Sequence, residues 1–190
     1  IEDIPGTRSP FDSLAISQVS GGYTTGGTGW YRKSFTVPET YRGKKVYIQF
    51  DGIYMNSDVW LNGRHLGNHP YGYTSFWYDL TGQLIPGEVN VIAVQVKNEG
   101  QNSRWYSGSG IYRHVWLRVT DPVHFEQWGV RVTTPEVSPQ EASVNIRASV
   151  KNESGTYANV RLVTTLIGPD GTTVLRISSS AGLEPGHNQT

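Results

Sequence analysis

Hydrophobic and polar residues alternate with a period of two along most of this chain. The clearest alternating segments are residues 30–37, 45–51, 57–61 and 91–97. In the second of them, the apolar positions are Val46, Ile48 and Phe50. This period is typical of β-strands that bury one face, whereas an amphipathic helix repeats every 3.6 residues. Because no window of about 12 residues shows a clean helical period, the sequence predicts strands and no long helix.

Turn residues separate the alternating segments. Asn62-Gly63 stands between two of them, and this pair favours a tight hairpin because both turn positions need a positive φ. Pro86-Gly87 marks a turn before the strand that begins near Val91. Residues 152–155 and 169–171 give similar signals further along the chain. The pattern therefore predicts short antiparallel strands joined by turns.

The character of the sequence changes near Pro122. Phe, Trp and Tyr are frequent up to Trp128, but Tyr157 is the only one after it. We therefore predict two domains, residues 1–121 and residues 122–190. The second has about four strand candidates, whereas an immunoglobulin-like sandwich has about seven. It is expected to be incomplete, with an inner face that further strands would cover.

Composition excludes several classes of function. The formal net charge is zero and no basic run is longer than Lys44-Lys45, so no nucleic-acid partner is expected. No cysteine is present, and the five histidines form no metal-binding motif, so we expect neither a metal nor a cofactor. No apolar run approaches the roughly 18 residues of a membrane helix, so no membrane partner is expected. A GxSxG nucleophile motif is also absent, as is a phosphate-binding GxGxxG.

One loop between two strand segments, residues 102–113, combines aromatic, cationic and small residues. Its candidate functional residues are Asn102, Arg104, Trp105 and Tyr106. Loops held by a rigid scaffold often carry function. Aromatic rings beside a guanidinium would suit the apolar face and hydroxyls of a sugar, or equally the surface of another domain. Both interpretations remain open from the residues alone.

Other residues give weaker indications. The candidate carboxylates are Asp51, Asp58, Asp79, Glu88 and Glu99, and their spacing does not single out the pair that a glycosidase needs. Tyr71 and Tyr73, with the aromatic run at 76–78, are either sugar contacts or core residues. Phe50 and Trp60 lie in strand segments, where we expect them in the core.

Five segments in a fixed order carry a family resemblance. They are Gly-Trp-Tyr-Arg-Lys-Ser-Phe at 29–35, Phe-Asp-Gly at 50–52, Val-Trp-Leu-Asn-Gly at 59–63, Tyr-Asp-Leu-Thr at 78–81 and Gly-Ser-Gly-Ile-Tyr-Arg at 108–113. This order and spacing resembles the N-terminal domain of glycoside hydrolase family 2, which includes β-galactosidases and β-glucuronidases. Residues 122–190 resemble the start of the immunoglobulin-like domain that follows in that family.

The resemblance implies an all-β fold, a jelly-roll β-sandwich followed by an incomplete immunoglobulin-like β-sandwich. It also implies that the jelly roll has strands ahead of Ile1 and that both catalytic glutamates lie on a (β/α)8 barrel beyond this chain. The family's galactosidases place an Asn and an Asp from this domain in the sugar pocket. The corresponding positions here, near Gly26 or Gly27 and near Arg104, hold neither residue. The resemblance thus leaves β-galactosides, β-glucuronides and β-mannosides open as substrates, and suggests a bacterial periplasmic or secreted protein.

The leading hypothesis is a non-catalytic N-terminal portion of a retaining exo-β-glycosidase of β-galactosidase type. In this hypothesis, Asn102, Arg104, Trp105 and Tyr106 lie at the rim of the substrate pocket or contact the barrel. The expected partners are a β-glycoside carbohydrate and the catalytic barrel of the same parent chain. Two alternatives are a free-standing carbohydrate-binding module and a structural pair of β-sandwiches like that of an adhesin.

Overall fold

The computed structural model describes residues 12–16, 18–19, 22–23, 26–101 and 108–190 of the 190-residue chain. The chain divides into two compact units, Ile1–Val119 and Thr120–Thr190. The described residues form strands and no α-helix, which confirms the predicted all-β class. A 3-10 turn, Glu39–Tyr41, lies between the first two described strands.

Nine strands lie among the described residues of the first part of the chain. They are β1 (Gly27–Thr36), β2 (Lys45–Phe50), β3 (Ile53–Tyr54), β4 (Ser57–Leu61), β5 (Arg64–His69), β6 (Phe76–Asp79), β7 (Val89–Asn98), β8 (Gly110–Ile111) and β9 (Val115–Thr120). One sheet has the order β1-β7-β4-β5, a second has the order β6-β2-β9, and β3 pairs with β8 in a short ribbon.

The two larger sheets enclose a shared core. Alternate residues of β2, β4 and β7 are buried, as the period of two predicts. The core cluster draws on both sheets and includes Val46, Phe50, Val59, Leu61 and Val94. Packing of two inner faces in this way is a β-sandwich, and it confirms that expectation for the first unit.

The hairpin at Asn62-Gly63 is confirmed. The two residues have φ values of 50° and 84°, and Leu61 pairs with Arg64 across the turn. The Asn62 side chain also connects this turn to β7, because its Oδ1 accepts from Val91 N at 2.8 Å and its Nδ2 donates to Asn90 Oδ1 at 2.9 Å. The turn residue therefore fixes the position of the hairpin on the neighbouring strand.

The second unit contains five further strands. They are β10 (Val123–Val137), β11 (Ala142–Asn152), β12 (Ala158–Ile167), β13 (Thr173–Leu183) and β14 (Asn188–Gln189). The strands form a three-stranded sheet of order β10-β11-β14 and a two-stranded sheet of β12 and β13. The predicted turns are present, since Gly171 has a φ of 83° and residues 154–156 form a bend.

A buried asparagine holds one end of this unit together. Asn152 Nδ2 donates to the carbonyl oxygens of Thr156 and Leu183, both at 2.9 Å, and its Oδ1 accepts from Ser154 N at 2.9 Å. Between the two sheets, by contrast, lies an open cleft of about 470 Å³. Apolar side chains line it, among them Ile146, Leu175 and Ile177, of which the last is 56% exposed.

Candidate functional site

The four predicted loop residues, Asn102, Arg104, Trp105 and Tyr106, lie outside the described residues. The structure describes the residues on either side of them, up to Gln101 and from Gly108. These flanking residues lie at the end of the first unit where β1 begins and β7 ends, because Gly27 pairs with Asn98 in the antiparallel register. The neighbouring ribbon of β3 and β8 is therefore part of the same region.

Side-chain hydrogen bonds fasten both flanks of the loop. Asn98, which is almost fully buried, donates from Nδ2 to Ser109 Oγ at 2.7 Å. Thr28 donates from Oγ1 to Glu99 Oε1 at 2.7 Å, so the end of β7 is also joined to β1. A glycine is required at position 26, because any Cβ there would overlap the carbonyl oxygen of Asn98. These contacts place the loop's two ends in a fixed geometry.

Gly110 lies against Tyr31 of β1 and so joins the second flank of the loop to that strand. Its φ of +111° is one that residues with a side chain rarely adopt, and the Tyr31 hydroxyl occupies the space that a Cβ would need. The same hydroxyl accepts a hydrogen bond from Ile111 N at 3.3 Å. Gly110 therefore permits a close approach of the backbone to the Tyr31 side chain at this point.

Tyrosine rings form a second feature beside the ribbon. Tyr54 is buried, and its ring centroid lies 5.2 Å from that of Tyr73, which in turn lies 5.7 Å from Tyr71. Tyr112 donates its hydroxyl to the carbonyl oxygen of Gly72 at 2.9 Å. Since Tyr71 and Tyr73 are both more than half exposed, these predicted aromatic candidates are surface residues rather than core.

The core expectation was right for Phe50 and wrong for Trp60. Phe50 is 1% exposed, whereas Trp60 alternates with the buried Val59 and Leu61 and so projects from the opposite face of β4. Its ring centroid lies 5.2 Å from that of Trp30, which is 59% exposed. The apolar character of Trp60 did not show which face of β4 it lies on. Its position between Val59 and Leu61, which both point into the core, would have shown it.

Asp58 lies on the same outer face and is the best-connected carboxylate. Its Oδ2 accepts from Lys97 Nζ at 2.9 Å and from Asn68 Nδ2 at 3.2 Å, and its Oδ1 accepts from His65 Nε2 at 2.8 Å. Burial of the carboxyl raises its pKa, but these hydrogen bonds and the charge of Lys97 outweigh that effect, so the pKa lies below its ordinary value. Burial, followed by the charge of Asp58, raises the pKa of Tyr78.

Asp51 and Asp79 have partners separate from those of Asp58. Asp51 accepts from Gln49 Nε2 and from Trp116 Nε1, each at 2.7 Å, and these two hydrogen bonds lower its pKa. Asp79 Oδ1 accepts from Thr81 N at 2.8 Å, which is the role of a turn former. Within the part of the chain that the structure describes, no group of three or more His, Cys, Asp or Glu residues could hold a metal ion. No helix among the described residues has the length and apolarity needed to cross a membrane.

The sequence matches one family model. Residues 13–122 match the sugar-binding domain of the glycosyl hydrolases family 2. This match covers the whole of the sandwich described above, including β1 to β9 and the loop at 102–107.

Relatives and solved structures agree with that match. The chain is 49% identical to β-galactosidase BoGH2A of Bacteroides ovatus over 171 residues, which is 90% of this chain and 20% of that protein. It is 46% identical to a putative β-glucuronidase of Formosa agariphila over 146 residues, 76% of this chain and 14% of that protein. A crystal structure of a glycosyl hydrolase family 2 member from Bacteroides cellulosilyticus superposes with a TM-score of 0.89 at 47% identity, covering 99% of this chain and 25% of the other. A β-glucuronidase from Bacteroides uniformis gives a TM-score of 0.81 at 30% identity, covering 93% of this chain and 22% of the other.

Proposed function

The chain belongs to glycoside hydrolase family 2, and on that basis we propose that it is a non-catalytic part of a retaining exo-β-glycosidase. Its proposed role is to form one wall of the substrate pocket and to support a catalytic barrel of the same parent protein. The family match over residues 13–122 carries this proposal. The chain spans about a fifth of the length of the curated relatives it matches, which leaves most of each relative for other domains.

The loop at 102–107 is the proposed contribution to the pocket rim. Asn102, Arg104, Trp105 and Tyr106 supply two hydrogen-bonding side chains and two aromatic rings within five residues. The bonds from Asn98 to Ser109 and from Thr28 to Glu99 support this role, because they hold the flanks of the loop in place. A fixed scaffold lowers the entropy that is lost when a loop engages a ligand.

The substrate is a β-glycoside in this proposal, with β-galactosides and β-glucuronides as the first candidates. Relatives with both activities in their names match this chain with similar identity, 49% for the β-galactosidase and 46% for the putative β-glucuronidase. The guanidinium of Arg104 is always positively charged, so it suits the carboxylate of an acidic sugar as well as the hydroxyl of a neutral one. Each activity test should therefore compare a β-galactoside with a β-glucuronide.

The first experiment measures hydrolysis by the chain alone. The purified 190-residue chain should release no nitrophenol from 4-nitrophenyl β-galactoside or β-glucuronide above the uncatalysed rate. Turnover at enzyme-like rates, on the order of 1–1,000 per second, would show that the chain is itself catalytic.

The second experiment supplies the rest of the enzyme. The matching segment of Bacteroides ovatus BoGH2A is replaced by this chain, and hydrolysis by the chimera is compared with that of BoGH2A lacking the segment. The chimera should be active and the truncated protein inactive. A folded but inactive chimera, or a fully active truncated protein, would contradict the proposed supporting role.

A further inference from the structure

The hairpin turn at Asn62-Gly63 contains a reactive pair of residues that the proposed pocket role does not use. It is the one Asn-Gly sequence in the chain. The backbone nitrogen of Gly63 can attack Cγ of the Asn62 side chain, because glycine has no side chain that would obstruct the approach. Both residues are exposed, so water reaches the turn. Asn62 can therefore lose its amide without the help of any enzyme.

The reaction consumes one water molecule and releases one ammonia molecule. The Gly63 nitrogen forms a bond to Asn62 Cγ and gives up its proton, while the bond from Cγ to Nδ2 breaks and ammonia leaves. Water then opens the resulting succinimide ring at one of its two C–N bonds. Opening at Cγ gives aspartate, whereas opening at the main-chain carbonyl carbon gives isoaspartate, in which the main chain runs through Cβ and Cγ.

The folded turn holds the Asn62 carboxamide in place. Its Oδ1 accepts from Val91 N at 2.8 Å, and its Nδ2 donates to the carbonyl oxygen of Gln83 at 3.1 Å and to Asn90 Oδ1 at 2.9 Å. The backbone nitrogen of Asn62 also donates to the carbonyl oxygen of Val91 at 2.8 Å. Because the attacked carbon changes from planar to tetrahedral, Oδ1 and Nδ2 must both move relative to these partners. The contacts of the folded turn therefore oppose the reaction.

Asn90 is unable to adapt to the aspartate product. Its own Oδ1 accepts from Ile85 N at 2.9 Å, and its Nδ2 donates to the carbonyl oxygens of Ile85 and Glu88 at 2.9 and 3.2 Å. Rotation of this amide would break those bonds. An aspartate at position 62 would place a carboxylate oxygen where Nδ2 now lies, against the acceptor oxygens of Asn90 and Gln83. Two favourable hydrogen bonds would thus become two repulsive contacts.

The isoaspartate product fits the turn no better. Leu61 pairs with Arg64, so the turn has two residues, and isoaspartate adds one atom to the main chain between them. We propose that Asn62 is a site of spontaneous deamidation, which the folded hairpin suppresses and which reacts when the hairpin opens. The modified turn does not regain its contacts with β7, so the reaction makes the opening permanent. This inference does not depend on the proposed pocket role.

The test follows the Asn62 amide by mass spectrometry of the 190-residue chain. Samples are kept at mildly alkaline pH, either folded in buffer or unfolded in concentrated urea, and are digested with trypsin after increasing times. The tryptic peptide of residues 46–64 contains both Asn62 and Asn56, so its fragments report both conversions to the acid. Asn62 should react at least about tenfold more slowly in the folded chain, because an opening that costs 1.4 kcal/mol leaves a tenth of the molecules reactive. In urea, Asn62 should react faster than Asn56, since the side chain of Ser57 hinders the attack there.

Asn90→Ala tests whether the contacts of the turn provide the protection. The variant removes one acceptor of Asn62 Nδ2, so Asn62 should react at least about threefold faster in the folded chain. The control is Gly110→Ala, which also destabilises the unit but lies near the other end of β7, where Asn98 bonds to Ser109. Low urea concentrations bring the two variants to the same free energy of unfolding before the rates are compared. Under those conditions Asn90→Ala should still react faster.

Asn62→Asp reproduces one of the two products. Its equilibrium constant for unfolding should be at least about tenfold larger than that of the wild type. The matched control is Asn56→Asp, the same chemical change at a half-buried residue whose Oδ1 accepts from Asn68 Nδ2 at 3.1 Å. A carboxylate keeps that acceptor, so this constant should change by less than about threefold. Circular dichroism checks that both variants are folded.

Three outcomes would overturn the proposal. One is that Asn62 reacts as fast in the folded chain as in urea, or in neither. Another is that Asn90→Ala and Gly110→Ala react at the same rate when their free energies of unfolding are equal. The third is that Asn62→Asp is as stable as Asn56→Asp, because the turn would then accept the product.

Discussion

Replacing Asn90 by alanine should destabilise the first unit severely. Asn90 is fully buried at the start of β7, and its amide is saturated with hydrogen bonds. Oδ1 accepts from Ile85 N and from Asn62 Nδ2, each at 2.9 Å. Nδ2 donates to the carbonyl oxygens of Ile85 at 2.9 Å and Glu88 at 3.2 Å. One side chain thus joins the turn before β7 to the hairpin between β4 and β5.

The magnitude follows from the groups left without a partner. Alanine removes all four bonds, and each buried group left unsatisfied costs about 1–3 kcal/mol. Asn62 Nδ2 keeps a second acceptor, the carbonyl oxygen of Gln83 at 3.1 Å, so it contributes little to the loss. Water can reach part of the turn beside the exposed Ile85. We therefore expect the free energy of unfolding to fall by about 3–4 kcal/mol.

Urea unfolding followed by tryptophan fluorescence measures this loss. Five of the six tryptophans, all except Trp128, belong to the first unit, so the signal reports mainly on that unit. With a slope of about 2 kcal/mol per molar, the midpoint should move down by about 1.5–2 M. Gln95→Ala is the matched control, because this amide is half-buried on the outer face of the same strand; its midpoint should move by less than about 0.25 M. A shift for Asn90→Ala no larger than the control's would refute the reasoning.

Three further predictions concern other parts of the chain. Asp58 has a lowered pKa in the folded state, so its contribution to stability is present above the ordinary pKa of 3.8 and is lost as the pH falls through the folded pKa. The difference in unfolding free energy between wild type and Asp58→Asn should therefore shrink from pH 6 to pH 3, and a constant difference would contradict the assignment. Gly110→Ala should lower the unfolding free energy by about 1–3 kcal/mol. Adding Tyr31→Phe to this variant should recover part of the lost stability, because it removes the hydroxyl that meets the new Cβ. A double-mutant cycle that shows no coupling between the two substitutions would count against that contact. The open cleft of the second unit should bind the dye ANS, and Ile177→Lys should reduce the fluorescence without changing the circular dichroism, whereas an unchanged signal would place the dye elsewhere.

Local sequence patterns were sufficient for much of the fold. The period of two identified the buried positions of β2, β4 and β7, and Asn62-Gly63 identified a hairpin because few other residues adopt two successive positive φ values. Phe50 followed the same logic. Trp60 did not, because residue type was given more weight than its parity with Val59 and Leu61.

The polar clusters depended on pairings that a linear pattern does not contain. Asp58 meets Lys97 across 39 positions of the sequence, and this requires β4 to pair with β7 in one register. The burial of Asn90 could not be predicted from its residue type either, because asparagine is usually exposed. The family resemblance came from ordered motifs and is confirmed, whereas the rim role of Asn102, Arg104, Trp105 and Tyr106 stays a prediction.

The most direct test of the pocket-wall role is kcat/KM of the BoGH2A chimera after Arg104→Ala. Its matched control is Arg42→Ala. Arg42 is exposed and pairs with Glu39, and both residues follow the C-terminal end of β1. That end of the strand lies about nine residues, or about 30 Å, from Gly27 at the loop end. Loss of a charged hydrogen bond to the substrate costs about 1.5–3 kcal/mol, so kcat/KM should fall by about 10- to 150-fold for Arg104→Ala and remain unchanged for Arg42→Ala. Equal kcat/KM for the two variants, on both the β-galactoside and the β-glucuronide, would contradict the account.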